Sequence, residues 1–204
     1  MHKVAQKNSV AWLRAVLFIP ALLFIAADKP SAPPIGKELD RYKDVAVYFN
    51  GNDISASHGK HCGRDGYYYG QKWQCVEFAK RFLYDAKGHS MPDGYGDAKD
   101  FFDDRILDGG WNEERGMFQY RNGGRTRPQP DDVIVFDGTW GHVAIITEVH
   151  DDRIEIIQQN REQKTRETHP LSTKNGRYQV GDKVKPFGWL RVKPGSEKDA
   201  PVVR

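Results

Sequence analysis

The sequence predicts an α+β fold in which an N-terminal helix packs on an antiparallel sheet. Apolar residues recur at helical spacing from Trp73 to Ala86, and the Lys-Gly pair at 87–88 indicates where this helix ends. Beyond residue 130 the pattern changes to β-branched runs, "DVIVFD", "HVAIITEVH", "RIEIIQQN" and "FGWLRV", which predict four strands. A helix followed by strands that are joined through short turns favours this fold class.

The first 27 residues are typical of an export signal. A basic start precedes the apolar run "AVLFIPALLFIAA", which is short for a membrane-spanning helix of about 20 residues. Ala26 and Ala27 offer a cleavage site, and an uncleaved N-terminal anchor is the alternative. We therefore expect an exported protein, periplasmic or extracellular, that meets a membrane only through this segment.

The rest of the chain is expected to form one domain with flexible ends. Residues 28–40 are rich in proline and are interpreted as a linker, and residues 194–204 as a loose tail. The domain then covers 41–193, a length that suits a single core.

Three further segments complete the predicted domain. "VAVYF" at 45–49 has strand composition, and residues 98–107 are predicted to form a second helix. Residues 109–130, which are rich in glycine, are predicted to be a long loop that borders a cleft.

The charge of the chain argues against nucleic acid as a partner. The formal net charge is +3, and Lys3, Lys7 and Arg14 of the export signal account for all of it. The remaining body is neutral and offers no basic footprint for a phosphate backbone.

Cys75 lies in "GQKWQCVEFAKRF", at the predicted start of the helix. A thiol in a first helical turn lies beside unpaired N–H groups and the positive end of the helix dipole, which lower its pKa and can hold an oxyanion. Cys75 is thus a nucleophile, a buried structural thiol, or one half of a disulfide with Cys62. Gln71 and Gln74 are candidate oxyanion donors or simple loop residues.

His142 is the histidine that best suits a general base. It follows the loop "GTWG" and opens an apolar strand, so that one side of its ring is desolvated while the other stays reachable. His150 ends the same strand, about 26 Å away at ~3.3 Å per residue, so the two cannot share a metal. We expect no metal and no cofactor.

The partner that orients His142 is expected in "IIQQN" on the next strand. A two-residue turn at 151–152 would bring Gln159 to the His142 face, whereas a three-residue turn would bring Gln158 and Asn160 there. The pattern alone leaves both registers open.

The strings "YYYGQKWQCVEFAKRFLY", "GHVAIITEV", "IEIIQQN" and "FGWL" together resemble the CHAP family of cysteine- and histidine-dependent amidohydrolases/peptidases. Within it, the likeness is closest to the amidase domain of glutathionylspermidine synthetase/amidase. The resemblance implies a papain-like fold with Cys75 as nucleophile, His142 as base and Gln158 as third residue. An acid is usual in that third place, so Gln158 removes a charge that would stabilise the imidazolium. Asn160 matches the family ending and is assigned to the same cluster.

A second departure from the family lies on the helix. Where an Arg-Arg pair is usual, this chain has Lys80 and Arg81, which the resemblance makes candidate substrate-binding residues. A lysine binds a carboxylate as a point charge and lacks the two-pronged geometry of arginine.

The expected reaction is hydrolysis of an amide through a thioester intermediate, on a peptide or peptide–polyamine substrate. Export favours peptidoglycan peptides, which the family at large cleaves. A glutathionylspermidine-type amidase that releases a polyamine is the first alternative. A catalytically weak exported binding module is the second.

Overall fold

The computed structural model describes residues 31–91 and 96–195, which fold mainly into strands. This part of the chain contains one α-helix, α1 (Cys75–Lys87), and one 3-10 helix, Ala98–Phe101. The strands are β1 (Glu38–Tyr42), β2 (Val45–Tyr48), β3 (Lys60–Cys62), β4 (Tyr68–Gln71), β5 (Gly110–Asn112), β6 (Met117–Arg121), β7 (Val133–Phe136), β8 (His142–Val149), β9 (Arg153–Ile157), β10 (Arg166–Lys174), β11 (Arg177–Val180) and β12 (Pro186–Val192).

The expected export signal at 1–27 lies outside these described residues, as do the first residues of the expected linker and most of the expected tail. Residues 38–40, at the end of the expected linker, belong to β1. Within the described ranges no helix is both long and apolar enough to cross a bilayer.

Eight of the strands form one sheet in the order β11-β10-β9-β8-β7-β12-β6-β5. Neighbouring strands in this sheet run antiparallel. Two small hairpins, β1-β2 and β3-β4, stand apart from it. The sheet is therefore the main scaffold, and β8 and β9, which carry the predicted base and its partner, lie inside it.

The prediction of an α+β class is wrong, because the described chain is predominantly β with a single α-helix. The predicted second helix at 98–107 is only a 3-10 helix of four residues, which begins with a capping box between Asp97 and Asp100. The predicted loop at 109–130 contains β5 and β6. Short strands of this kind take their conformation from pairing with a neighbour, so their own sequences show little alternation.

Alternate residues of β8 belong to two different hydrophobic clusters. Val143 and Ile145 share the first cluster with Phe78 and Phe82 of α1. Ala144 and its alternate neighbour Ile146 belong to the second cluster, together with Trp189 of β12. Because side chains alternate across a strand, α1 covers one face of the sheet and the second cluster lies on the other.

Candidate active site

Cys75 is the first residue of α1 and lies almost wholly buried, with 8% of its surface exposed. The residue before it, Gln74, is extended and forms the N-cap. Backbone N–H groups of Cys75, Val76 and Val143 face the sulfur. The sulfur therefore lies where the start of α1 meets the start of β8.

Burial raises the pKa of the Cys75 thiol above its ordinary value. The N–H groups around the sulfur and the charge of Arg161 favour the thiolate, but they do not outweigh the loss of hydration. The expectation that the helix N-terminus would lower this pKa is corrected here, because that argument left out how deeply the first turn is buried.

His142 is the first residue of β8 and is 6% exposed. Its Nε2 lies 3.0 Å from Oε1 of Gln158. Burial, followed by the charge of Arg161, lowers the pKa of His142 to about 3, against the opposing effects of Gln158 and Glu167. In the free protein at neutral pH the imidazole is therefore neutral, and so is the thiol.

The structure brings Gln158 to His142 through a β-bulge. The turn between β8 and β9 has the two-residue form, in which the His150 N–H donates to the Arg153 carbonyl at 2.8 Å. The register of the hairpin then shifts between Ile146 and Glu148, so that one extra residue lies on β8. Because of this extra residue, the side chains at the end of β9 change faces. Gln158, and not Gln159, therefore lies on the His142 side, as a three-residue turn would also have placed it.

Gln159 consequently faces away from His142. Its Nε2 donates to Oε2 of Glu77 at 2.7 Å and to the carbonyl of Gln74 at 3.0 Å. Its Oε1 accepts the N–H of Tyr48 at 2.8 Å. Gln159 thus connects β2, α1 and the end of β9.

Asn160 and Gln74 hold each other beside the site. Asn160 Nδ2 donates to Gln74 Oε1 at 2.6 Å and to the carbonyl of Ile54 at 2.8 Å. Gln74 Nε2 donates to the carbonyl of Ala56 at 2.7 Å, so its amide hydrogens are directed to the loop rather than to an oxyanion. Gln71 lies on the cavity wall, where its Oε1 accepts from the hydroxyl of a neighbouring serine at 2.8 Å.

Lys80 and Arg81 do not line the cavity that contains Cys75. Lys80 Nζ donates to the carbonyl of Tyr68 at 2.9 Å. Arg81 Nε donates to the buried carboxylate of Glu77 at 2.6 Å, and its Nη1 bonds a backbone carbonyl of β2. Both cations are directed into the body of the protein.

The cavity has a volume of about 520 Å³ and contains both Cys75 and His142 in its wall. Among the cavity residues that the sequence analysis did not identify are Trp140, Arg161 and Asp97. Trp140 is largely exposed although it is aromatic, and its place beside the predicted base was a usable signal. Arg161 directly follows "QQN", but nothing in the pattern indicates that it faces the cavity.

Among the described residues, Arg161 is the one cationic side chain in the wall of this cavity. No carboxylate of residues 31–91 and 96–195 forms an ion pair with its guanidinium, and Asp97, which also lines the cavity, is engaged in the capping box of the 3-10 helix. An unpaired guanidinium beside a nucleophile attracts an anionic group, for which its planar donors suit a carboxylate best.

Cys62 and Cys75 are both free thiols in the structure, and Cys62 is exposed. The one described group of residues with ligand atoms close enough for a metal is Glu148, His150 and Glu155, whose atoms lie within 4.8 Å of one another. This group lies at the far end of β8 from His142. It therefore has no part in the cavity.

Residues 66–160 match the model of the CHAP domain. The chain is 33% identical over 190 residues to trypanothione synthetase of Crithidia fasciculata, a match that covers 85% of this chain and 29% of that protein. It is also 33% identical over 154 residues to the bifunctional glutathionylspermidine synthetase/amidase of Escherichia coli, which covers 67% of this chain and 25% of that protein. The chain thus spans less than a third of the length of these curated relatives.

Proposed function

Because residues 66–160 belong to the CHAP family of cysteine- and histidine-dependent amidohydrolases and peptidases, we propose that Cys75 and His142 hydrolyse an amide bond. The observation that carries this proposal is the hydrogen bond of 3.0 Å between His142 Nε2 and Gln158 in a cavity that also contains Cys75. With Nε2 engaged, Nδ1 is the nitrogen that remains for the thiol proton.

The proposed first step begins from the neutral pair. As the sulfur attacks the carbonyl carbon, His142 Nδ1 takes the thiol proton, the C–S bond forms and the carbonyl electrons move to the oxygen. The imidazolium then gives that proton to the leaving nitrogen, and the C–N bond breaks to leave a thioester on Cys75. A water molecule that His142 deprotonates then attacks the thioester carbon and forms the C–O bond. The C–S bond breaks to release the acid, and the imidazolium returns the proton to the Cys75 sulfur.

We propose that the oxyanion is held by backbone N–H groups at the start of α1. The first N–H groups of a helix have no partner within the helix, and those of Cys75 and Val76 face the sulfur. Gln74 is a poor donor here, since its amide hydrogens are bonded to loop carbonyls. Backbone donors that are fixed before the reaction need no rearrangement as charge develops.

We propose that the substrate is a peptidoglycan peptide that an exported enzyme meets outside the membrane. The basic and apolar start of the sequence supports export. The guanidinium of Arg161, which pairs with no carboxylate among the described residues, supports a substrate with a carboxylate near the scissile bond. Peptidoglycan peptides carry such groups.

The alternative substrate is a polyamine conjugate, and the names of the relatives favour it. Two matched proteins are bifunctional glutathionylspermidine synthetase/amidases. An amidase of that kind would place a glycyl carbonyl at Cys75 and release the polyamine.

The test compares the wild-type chain with Cys75→Ala on purified peptidoglycan and on glutathionylspermidine in parallel, with released amines identified by mass spectrometry. We expect cuts in peptidoglycan that require Cys75. Release of spermidine alone would overturn the proposed substrate and favour the alternative. A folded, reduced protein that cleaves neither would favour a binding module.

A further inference from the structure

We propose that Glu167 is a positioning residue of this site, which fixes the amide of Gln158 and, through that amide, the tautomer of His142. The catalytic consequence of this role rests on the proposed function. The geometry itself does not, because it concerns the contacts of Gln158 with Glu167 and with His142 in the free protein.

Glu167 reaches Gln158 from the neighbouring strand. It lies on β10 opposite Ile156 of β9, close to the point where β9 ends. Gln158 Nε2 donates to Glu167 Oε2 at 3.2 Å and to the carbonyl of Lys164 at 3.3 Å. The Gln158 side chain is buried, so these partners and His142 take the place of water around its amide.

The two acceptors determine which way the amide of Gln158 points. An amide oxygen only accepts hydrogen bonds and an amide nitrogen only donates them. The Glu167 carboxylate and the Lys164 carbonyl both accept hydrogen bonds, so the amide nitrogen of Gln158 must face them. The amide oxygen then faces His142. An oxygen in that place can only accept, so Nε2 of His142 carries the hydrogen and Nδ1 keeps its lone pair.

The opposite orientation of the amide would disable the base. If the nitrogen of Gln158 faced His142, Nε2 would have to accept, and the ring hydrogen would move to Nδ1, where the thiol proton must go. That orientation also sets the amide oxygen against the Glu167 carboxylate. A hydrogen bond to a charged acceptor is about twice as strong as a neutral one, so Glu167 opposes the flip more strongly than the Lys164 carbonyl does.

Glu167 has a second effect on the same ring. Its negative charge favours the imidazolium, whereas Arg161 disfavours it. The carboxylate that is usual in the third catalytic place is thus present here one hydrogen bond further away. The amide of Gln158 makes the hydrogen bond to His142, and the charge of Glu167 acts on the ring from beyond that amide.

The test compares Glu167→Ala with Glu167→Gln and with the matched control Glu148→Ala. Glu148 is also a glutamate with an ion-pair partner, His150 at 3.2 Å, but it lies at the far end of β8 from His142. We expect Glu167→Ala to lower kcat about 10- to 100-fold with KM nearly unchanged, as the loss of an orienting partner does elsewhere. Glu167→Gln keeps an acceptor oxygen and should recover part of the loss, and Glu148→Ala should stay close to wild type.

The deciding measurement is the nitrogen NMR spectrum of His142 in 15N-histidine-labelled protein, with the signal assigned by comparison with His142→Asn. We expect hydrogen on Nε2 in the wild type and a population with hydrogen on Nδ1 in Glu167→Ala. An unchanged tautomer together with unchanged kcat would overturn the proposal. If the wild type hydrolyses no substrate, the proposed function fails, and the tautomer still decides the role of Glu167.

Discussion

Two exposed or half-exposed charges act on the buried pair of Cys75 and His142 from different directions. Arg161 stabilises the thiolate and destabilises the imidazolium, whereas Glu167 stabilises the imidazolium. Neither charge overcomes burial, so both groups stay neutral before substrate binds. A substrate carboxylate that neutralises Arg161 would remove the charge that opposes protonation of His142, and would do so only when the cavity is occupied.

The first prediction concerns how fast Cys75 is alkylated at different pH values. A preformed ion pair would react at a constant rate over a wide acidic and neutral range. Here the pKa of Cys75 is raised and that of His142 is lowered to about 3, so we expect the rate to rise steadily with pH. The measurement is the rate of modification by iodoacetamide from about pH 4 to about pH 10, in a Cys62→Ser background.

A plateau between acidic and neutral pH in this experiment would mean that the thiolate–imidazolium pair exists at rest. The control variant is Arg161→Gln, in which the thiolate loses a favourable charge. Its alkylation should be several-fold slower at a given pH, and Arg161→Lys should restore most of the rate. Because Arg161 is exposed, neither change is expected to affect folding by more than about 0.5 kcal/mol.

At the scale of elements, the start of α1 is held in place by the carboxylate of Glu77, which lies in the first turn of the helix. This fully buried group bonds Arg81 of the same helix, His61 of β3 and Gln159 after β9. Hydrogen bonds to His61 and Arg81, with the charge of Arg81, lower the pKa of Glu77 in spite of burial, so the carboxylate is ionised. One charge thus fixes α1 relative to the strand end that presents Gln158.

The second prediction is that Glu77→Ala destabilises the protein severely. Arg81 is 5% exposed, so the substitution leaves a buried guanidinium without its carboxylate. Such a loss costs about 3–5 kcal/mol. The measurement is the free energy of unfolding from urea denaturation.

Glu38→Ala serves as its control, because the pair between Glu38 and Arg41 has the same kind of groups on an exposed surface. Exposed pairs contribute about 0–1 kcal/mol, so this variant should unfold close to wild type. Equal losses in Glu77→Ala and Glu38→Ala would show that the buried network does not hold α1.

The helix and the strands with a clear apolar pattern were predictable from the sequence. The β-bulge in β8, on which the site depends, was not. The helix predicted from Trp73 is present as α1 from Cys75, and the strands β7, β8, β9 and β12 correspond to the predicted β-branched runs. The bulge in β8 has no such signature, yet it decides whether Gln158 or Gln159 meets His142. The sequence therefore allows both registers of the hairpin, and only the observed strand pairing shows that Gln158 is the residue that meets His142.

Not all of the cationic side chains near the site could be assigned a role from the sequence. Glu77 and Arg81 stand four residues apart, the spacing at which oppositely charged side chains pair on a helix. That signal was available and favoured a structural role for Arg81. The position of Arg161 was not available, because it depends on how the chain turns after β9 and no periodic pattern covers that turn.

At the scale of the whole molecule, the sheet separates the cluster that supports the site from the cluster that does not. Cys75 belongs to the first cluster, with α1 and the β8 residues Val143 and Ile145. The second cluster contains no residue of α1 among those described. Ile145 and Ile146 are adjacent and both fully buried, so they offer a matched pair of probes for the two clusters.

The third prediction is that Ile145→Ala and Ile146→Ala have similar effects on stability but different effects on the site. Each removes the same atoms from a fully buried place and should cost about 2–5 kcal/mol. Only Ile145 packs in the cluster that supports α1, so only its loss should let Cys75 shift relative to His142. A displacement of about 1 Å can lower a rate by about 100-fold, so a loss of this order in kcat is expected for Ile145→Ala alone.

The comparison requires both variants to be folded, so kcat and the iodoacetamide rate are measured at a temperature where urea titrations show each to be native. Under those conditions Ile146→Ala should retain nearly the wild-type kcat, because the cavity it creates lies on the face without α1. Equal losses of kcat in both variants would mean that the sheet transmits packing defects across its thickness. The position of Cys75 would then depend on both hydrophobic clusters. The claim that only the first cluster supports the site would be wrong.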